Sequence, residues 1–226
     1  MFSGSPIPRL AAVNPFAIEA VRAAYDAVAG EYVDVFGDDL ARLPVDRMML
    51  DKALTAAGRD AWVLDLGCGP APAAGHLAGR ASRLLGIDLS RAMLTAAGDR
   101  VASLRRTQAD MRRLPLQAGT CGLVIAYYSL QHLERNHLGL ALAEFHRVLR
   151  RDGWLLVATH LGEGEVLIDE FLGHRVTTFA GAFHQREELL GLLAASGFRL
   201  KDERQREPLP HEHDSRRIYL LAHRHP

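Results

Sequence analysis

Lysine is nearly absent from this chain. Lys52 and Lys201 are its only two, and the rest of the positive charge is arginine. Basic and acidic residues number 27 each, so the formal net charge is zero. That balance removes the electrostatic footprint of a general nucleic-acid binder. The pairs Arg105-Arg106 and Arg112-Arg113 are local basic candidates and read as solvated surface. Cysteine occurs only at Cys68 and Cys121, too few for a disulfide framework, so a reducing, cytoplasmic setting is expected. No uninterrupted apolar run is long enough for a membrane span. Met1–Pro8 lacks a basic region followed by an apolar stretch, so no secretory leader is expected. Internal repeats and low-complexity segments are also lacking. The arginine bias, with abundant alanine, suggests a GC-rich bacterial genome.

What is present organises as one domain over 1–226, long enough to bury a sizeable core. Residues 1–14, with Pro6 and Pro8, read as an extended arm. From Pro15 to Ala29 apolar residues recur at helical spacing, and a second helix runs from Pro44 to Ala57 and stops at Gly58. Together, 15–58 is expected to form an N-terminal helical lid. Short apolar runs then alternate with helical segments. Strands are predicted at 61–66, 83–88, 104–109, 121–127, 153–159, 198–205 and 216–223, and helices near 72–80, 90–100, 136–150 and 185–196. This alternation predicts an α/β fold with a parallel sheet covered on both faces. The last two strands are too close for a helical crossover and are expected to pair antiparallel. Residues 161–184 read as a long irregular connection, of the kind that often serves as a substrate lid.

The most informative segment is Val63-Leu64-Asp65-Leu66-Gly67-Cys68-Gly69-Pro70. A buried strand ends in an acid and runs into a loop whose glycines let a ligand approach bare backbone. A dinucleotide fingerprint would need glycine at position 72, where the chain has Pro72; a Walker lysine is also missing. Asp88 ends the second strand at the distance from the loop where an acid reaches ribose hydroxyls in doubly wound folds. Its alternative role is to cap the next helix, although Ser90 is the better cap. Asp110 and Met111 follow the third strand, and Tyr127–Leu133 follows the fourth. All four elements lie at carboxyl ends of strands, where open α/β sheets bind ligands.

These segments, VLDLGCGP (63–70), GIDLS (86–90), QADMRRLPL (108–116), YYSLQHL (127–133) and LRRDGWLLVATH (149–160), resemble the class I S-adenosylmethionine-dependent methyltransferases, especially the small-molecule group of the UbiE and type-11 kind. The resemblance covers most of residues 20–224. It implies a Rossmann-like, seven-stranded, mostly parallel sheet of order 3-2-1-4-5-7-6, with strand 7 antiparallel. It implies S-adenosyl-L-methionine as cofactor and S-adenosyl-L-homocysteine as product. Gly67, Cys68 and Gly69 would lie under the methionine part, with Asp65 orienting the loop or the ammonium group. Asp88, beside Leu89 and Met93, would bind the ribose, and Asp110 with Met111 the adenine. Tyr127 or a close neighbour would line the cofactor wall. Tyr25 and Tyr32 resemble the aromatic cover of the lid helix, and Arg47 would pair with the methionine carboxylate. Ala71 stands where relatives often have a further glycine.

Methyl transfer from a sulfonium requires in-line alignment of the acceptor and, for a hydroxyl, a base within hydrogen-bond reach. His132 is the best-placed candidate base, and His160 is the second; a cap beside the adjoining helix is the other role open to His132. Glu163, Glu165, Asp169, Glu170 and His174 are candidates for shaping an acceptor pocket, with helical phase assumed for the segment. His211 with His213, and His223 with His225, look like ligand pairs but are predicted to lie away from the cleft, and no metal is expected. No D/N-P-P-Y motif follows the fourth strand, so nucleic acid is not an expected partner. The expected partner is a small organic methyl acceptor at oxygen or nitrogen, with secondary metabolism suggested by fold-level analogy. A catalytically inactive cofactor-binding partner or regulatory protein is the alternative. Oligomeric state is not readable.

Overall fold

A computed structural model describes residues 14–225. Apart from Asn14, the predicted 1–14 arm lies outside the described residues. The first helices are α1 (Ile18–Ala27) and α2 (Ala29–Phe36), separated at Val28, where ψ swings to 13°. The sequence pattern had suggested one helix here. After a 3-10 turn at Asp39–Arg42 comes α3 (Pro44–Ala57), which starts on Pro44 and stops at Gly58.

The alternating part follows in predicted order: β1 (Trp62–Leu66), α4 (Pro72–Leu77), β2 (Arg83–Asp88), α5 (Arg91–Arg100), β3 (Arg105–Gln108), β4 (Cys121–Tyr127), α6 (Arg135–Val148) and β5 (Leu149–Leu161). Ser90 does cap α5, its hydroxyl accepting the N–H of Met93 at 3.1 Å. The 161–184 segment is not irregular, nor does it follow helical phase. It forms the hairpin β6 (Glu165–Phe171) and β7 (His174–Ala182) around Leu172-Gly173. The chain ends with α7 (Arg186–Ala195), β8 (Phe198–Arg206) and β9 (Arg216–Arg224). A Gln185–Glu188 capping box starts α7.

The main sheet has seven strands in the order β3-β2-β1-β4-β5-β9-β8. Counting only its own strands, this is the predicted 3-2-1-4-5-7-6; the inserted hairpin shifts the labels. β9 runs antiparallel to both neighbours, β5 and β8. Alternate residues divide between two cores. Val63, Leu123 and Ile125 pack with α3, α4 and α5 on one face. Leu64, Leu66, Val124 and Ala126 pack with α6 and α7 on the other. Central strands buried on both faces read as continuous apolar runs for this reason. Thus α3, grouped with the lid by sequence position, belongs to the sheet's own core.

A third, smaller core joins the N-terminal helix α1 to the inserted hairpin. Val21 and Ala24 of α1 pack on Phe179 of β7, with Tyr25, Leu89, Ile168, Phe171 and Val176 around them. The N–H of Ala180 also donates to the carbonyl of Pro15 at 3.0 Å. The hairpin therefore gives α1 the apolar partner that a lone amphipathic helix lacks.

Candidate active site

A cavity of about 400 Å³ opens at the carboxyl ends of β1–β5. One end is formed by the glycine loop and the ends of β2 and β3, the other by His160, Arg217 and the 207–215 loop.

The glycine loop is held by backbone bonds. Ile87 O accepts the N–H groups of Gly67 and Cys68 at 2.7 and 3.1 Å, and Asp88 Oδ2 accepts that of Gly69 at 2.8 Å. The two glycines serve different needs. A Cβ on Gly67 would sit 2.4 Å from Ser129 Cβ, so the close neighbour there is the chain itself. A Cβ on Gly69 meets nothing within 4 Å, so that backbone faces open space. Both have positive φ, as does Ala71 at 62°. Cys68 is buried and its thiol pKa is pushed up by burial.

Asp65 is buried at the end of β1, with Oδ2 accepting the Ala74 N–H at 3.3 Å. Burial, aided by the nearby charge of Asp88, pushes its carboxyl up to about 7. Asp88 accepts the Ser90 N–H on Oδ1 and the Gly69 N–H on Oδ2, both at 2.8 Å. Its pKa is raised by burial and held back by these bonds. Each Asp88 oxygen keeps a lone pair beyond its one backbone bond. Two unfilled acceptors beside a bare glycine backbone suit a vicinal diol, which is the fit a ribose requires.

Leu89, buried Met93 and Met111 line the same end. Asp110 lines it too, but its carboxylate is largely occupied: Arg112 Nε lies 3.1 and 3.0 Å from its two oxygens, Nη2 at 2.8 Å and the Arg112 N–H at 2.9 Å. Arg47 does not reach the cavity. Its guanidinium donates to the carbonyls of Leu40 and Ala41, closing the 3-10 turn, and it is not among the cavity-lining residues. A lone arginine in the first turn of a helix looks the same in sequence whether it meets a ligand or its own backbone.

Tyr25 and Tyr32 line the cavity beneath α1 and α2, their rings 5.8 Å apart. Burial pushes the Tyr32 hydroxyl up to about 12. His132 Nδ1 lies 3.0 Å from Ala180 O, and a carbonyl can only accept, so Nδ1 carries the proton. Burial lowers the His132 pKa, keeping the ring neutral. Its Nε2 therefore accepts the Tyr25 hydroxyl at 2.8 Å. This order, Tyr25 O–H to His132 Nε2, is what a base needs to draw a proton through a tyrosine.

Tyr127 lines the wall, but its hydroxyl turns away to Asp46 Oδ1 at 2.8 Å. Asp46, unmarked in the sequence, is fully buried. It also accepts Tyr219 at 2.7 Å, Tyr128 at 3.3 Å and Arg206 Nε at 3.2 Å. His160 Nδ1 lies 2.8 Å from Ser215 Oγ, and burial and Arg217 push the ring down to about 3. The hairpin contributes Phe171 to the lining; Glu163, Glu165, Asp169, Glu170 and His174 are not among the lining residues. His174 instead pairs with Glu31 at 3.1 Å. His211 and His213 were placed away from the cleft, yet both line its far end, because Arg206 bonds Glu212 and draws the loop back. His223 packs on Trp154. Among the described residues no group of three or more histidine, cysteine or acidic side chains is placed to hold a metal ion, and no helix is long and apolar enough to cross a membrane. Gln131 and Arg217 are lining residues that sequence reasoning did not select.

The family described as Methyltransferase domain matches residues 63–153, the span carrying the glycine loop, Asp88 and the Tyr127 segment. The chain is 34% identical over 195 residues to a malonyl-[acyl-carrier protein] O-methyltransferase of Laribacter hongkongensis, covering 79% of this chain and 63% of that protein. It is 30% identical over 182 residues to the protein of the same name in Pseudescherichia vulneris, covering 72% of this chain and 69% of that one. Among solved structures, the Burkholderia thailandensis 1,6-didemethyltoxoflavin-N1-methyltransferase, with bound 1,6-didemethyltoxoflavin and S-adenosylhomocysteine, superposes with TM-score 0.73 at 20% identity, over 98% of this chain and 95% of that one. The chain belongs to the class I S-adenosylmethionine-dependent methyltransferase family. It spans 63% of the length of the Laribacter relative.

Proposed function

We propose that this protein transfers a methyl group from S-adenosylmethionine to an oxygen or nitrogen of a small organic molecule. The observation that carries the reading is Asp88, whose two oxygens each hold one backbone N–H and keep an acceptor position beside the bare face of Gly69. Asp88 would take the ribose hydroxyls. Gly67, Cys68, Gly69 and Asp65 would surround the methionine portion, and Leu89, Met93 and Met111 the base. When bound, the cofactor supplies an electrophilic methyl group on a sulfonium and leaves as S-adenosylhomocysteine.

The remaining work belongs to the chain. The third core, with α1, α2 and the hairpin, acts as a lid whose rings exclude water. The cavity wall aligns the acceptor. Tyr25, its hydroxyl already donated to His132 Nε2, takes an acceptor proton while passing its own to the histidine. The O-methyltransferase names of the relatives favour oxygen as the acceptor atom. Two free, buried cysteines support a cytoplasmic setting.

Calorimetry with S-adenosylhomocysteine and with NAD tests the reading. The wild type binds S-adenosylhomocysteine and not NAD. Asp88→Ala removes two hydrogen bonds to a charged group, a loss of about 3 kcal/mol or roughly 100-fold in Kd. Binding of NAD alone, or unchanged affinity in Asp88→Ala, sinks it.

A further inference from the structure

Hydrogen bonds are unevenly shared at the far end of the cavity. Asp46 is filled by tyrosine hydroxyls and Arg206 Nε. Glu212 is filled by both Nη groups of Arg206 and by the Leu209 N–H. Arg206 thus hydrogen-bonds both carboxylates, while Arg217 reaches Glu212 through charge alone. Arg217, which lines the cavity and is 3% exposed, is left with less. Its Nη1 donates to the carbonyls of His213 and Ser215. Its Nη2 stands 3.6 Å from Glu212, beyond hydrogen-bond length, and its Nε–H has no partner among the described residues. A guanidinium has five donors, and leaving one buried and unmet costs about 1–3 kcal/mol.

Arg217 faces His160 across the β5–β9 ladder. Ser215 Oγ receives Arg217 Nη1 at 3.4 Å and lies 2.8 Å from His160 Nδ1 and 3.4 Å from His213 Nδ1, and we assign its proton to the shorter contact, with His160. That assignment leaves the His160 proton on Nε2, on a cavity-lining ring and with no protein partner among the described residues. His160 is then a hydrogen-bond donor and not the base its position suggested. The charge of Arg217 is felt at this ring, where after burial it is the largest cause of the lowered pKa.

Resting on the methyltransferase reading, we propose that this corner seats an oxyanion carried by the methyl acceptor, a carboxylate or a phosphate, held by the free donors of Arg217 and by His160 Nε2–H. Glu212 balances the Arg217 charge from 3.6 Å but forms no hydrogen bond to it, and an oxyanion, unlike a neutral carbonyl, would supply a charge-assisted one. The acceptor class is therefore a small organic acid or phosphate ester.

The test is a ¹⁵N NMR titration of the full chain, with and without saturating S-adenosylhomocysteine, following the Arg217 Nε–H signal. The probes are acetate, inorganic phosphate and acetamide, the last as neutral counterpart of acetate. Acetate or phosphate should shift the signal saturably and acetamide should not, and the tighter anion identifies the group as carboxylate or phosphate. Arg217→Gln should weaken anion binding at least tenfold while S-adenosylhomocysteine affinity stays within twofold. Arg217→Lys, which keeps the charge, serves if the glutamine variant does not fold, with the same tenfold loss expected for the missing Nε–H. No saturable shift with either anion, or an equal response to acetamide, overturns the proposal. Failure to bind S-adenosylhomocysteine overturns the methyltransferase reading instead, and the titration without it still decides the anion site.

Discussion

Asp88 is held by the backbone N–H groups of Gly69 and Ser90, at most 19 residues away. Asp46 is held by Tyr127, Tyr128, Arg206 and Tyr219, between 81 and 173 residues away. Asp88 lines the cavity, whereas Asp46 lies buried behind its wall and holds the lining residues Tyr127 and Tyr128. At the first, turns at strand ends fix the polar groups and leave acceptors open. At the second, side chains from α3, β4, β8 and β9 saturate one another, and Arg217 is what they leave over. An open carboxylate held by backbone is suited to meeting a ligand. A closed one tied by side chains is suited to holding the walls together.

The sharpest way to break this contrast is Asp46→Ala. It strips Arg206 of one partner and leaves tyrosine hydroxyls unmet, so unfolding free energy should fall by about 3–5 kcal/mol, with Tm lower by roughly 10 °C. The affinity of the folded protein for S-adenosylhomocysteine should change little. Denaturation and calorimetry on the same sample check both, and a variant that loses affinity without losing stability would erase the distinction.

A second effect, of about 3 kcal/mol, concerns His184, where the hairpin rejoins β5. Its N–H donates to His160 O at 3.2 Å, and both ring nitrogens are buried without hydrogen-bond partners among the described residues. Burial pushes its pKa down to about 4. The unfolded chain therefore binds the proton first, and stability drains away as pH falls from about 6.5 towards 4. Asp65, raised by burial to about 7, has the opposite sign over the same range. The clean measurement is the stability difference between wild type and His184→Gln, which should shrink by that amount from pH 7 to pH 4. A pH-independent difference contradicts a buried neutral His184.

The smallest expected effect, near 1.4 kcal/mol or tenfold, is that of Tyr25→Phe. It keeps the ring contacts but removes the hydroxyl donated to His132. Turnover should drop with S-adenosylhomocysteine affinity unchanged. Equal turnover would reduce Tyr25 to a lid ring.

The same contrast governs what was legible in the sequence. Gly67, Gly69 and Asp88 act through local geometry, so spacing alone located them. The seven strands could be read because buried parallel strands are continuous apolar runs, while their order came with the family resemblance. The hairpin was missed although Val176-Thr177-Thr178 and Gly173 signalled strand and turn; its mixed charges read as solvated loop. Asp46, Arg206 and Arg217 carried no local signal, since each is defined by partners that only the folded chain supplies. His211 and His213 were placed outside the cleft for the same reason.

The aromatic cover of α1, α2 and the hairpin bears on traffic. Tyr32 meets Phe36 and Phe171 with ring centroids 4.8 and 6.1 Å apart, and Tyr25 meets Phe171 at 5.9 Å. Ring contacts part and re-form more readily than a charged knot such as that around Asp46. On the reading proposed above, substrates would come and go on the ring side, so the door and the tyrosine that relays the proton would move together, and each opening would take Tyr25 away from His132.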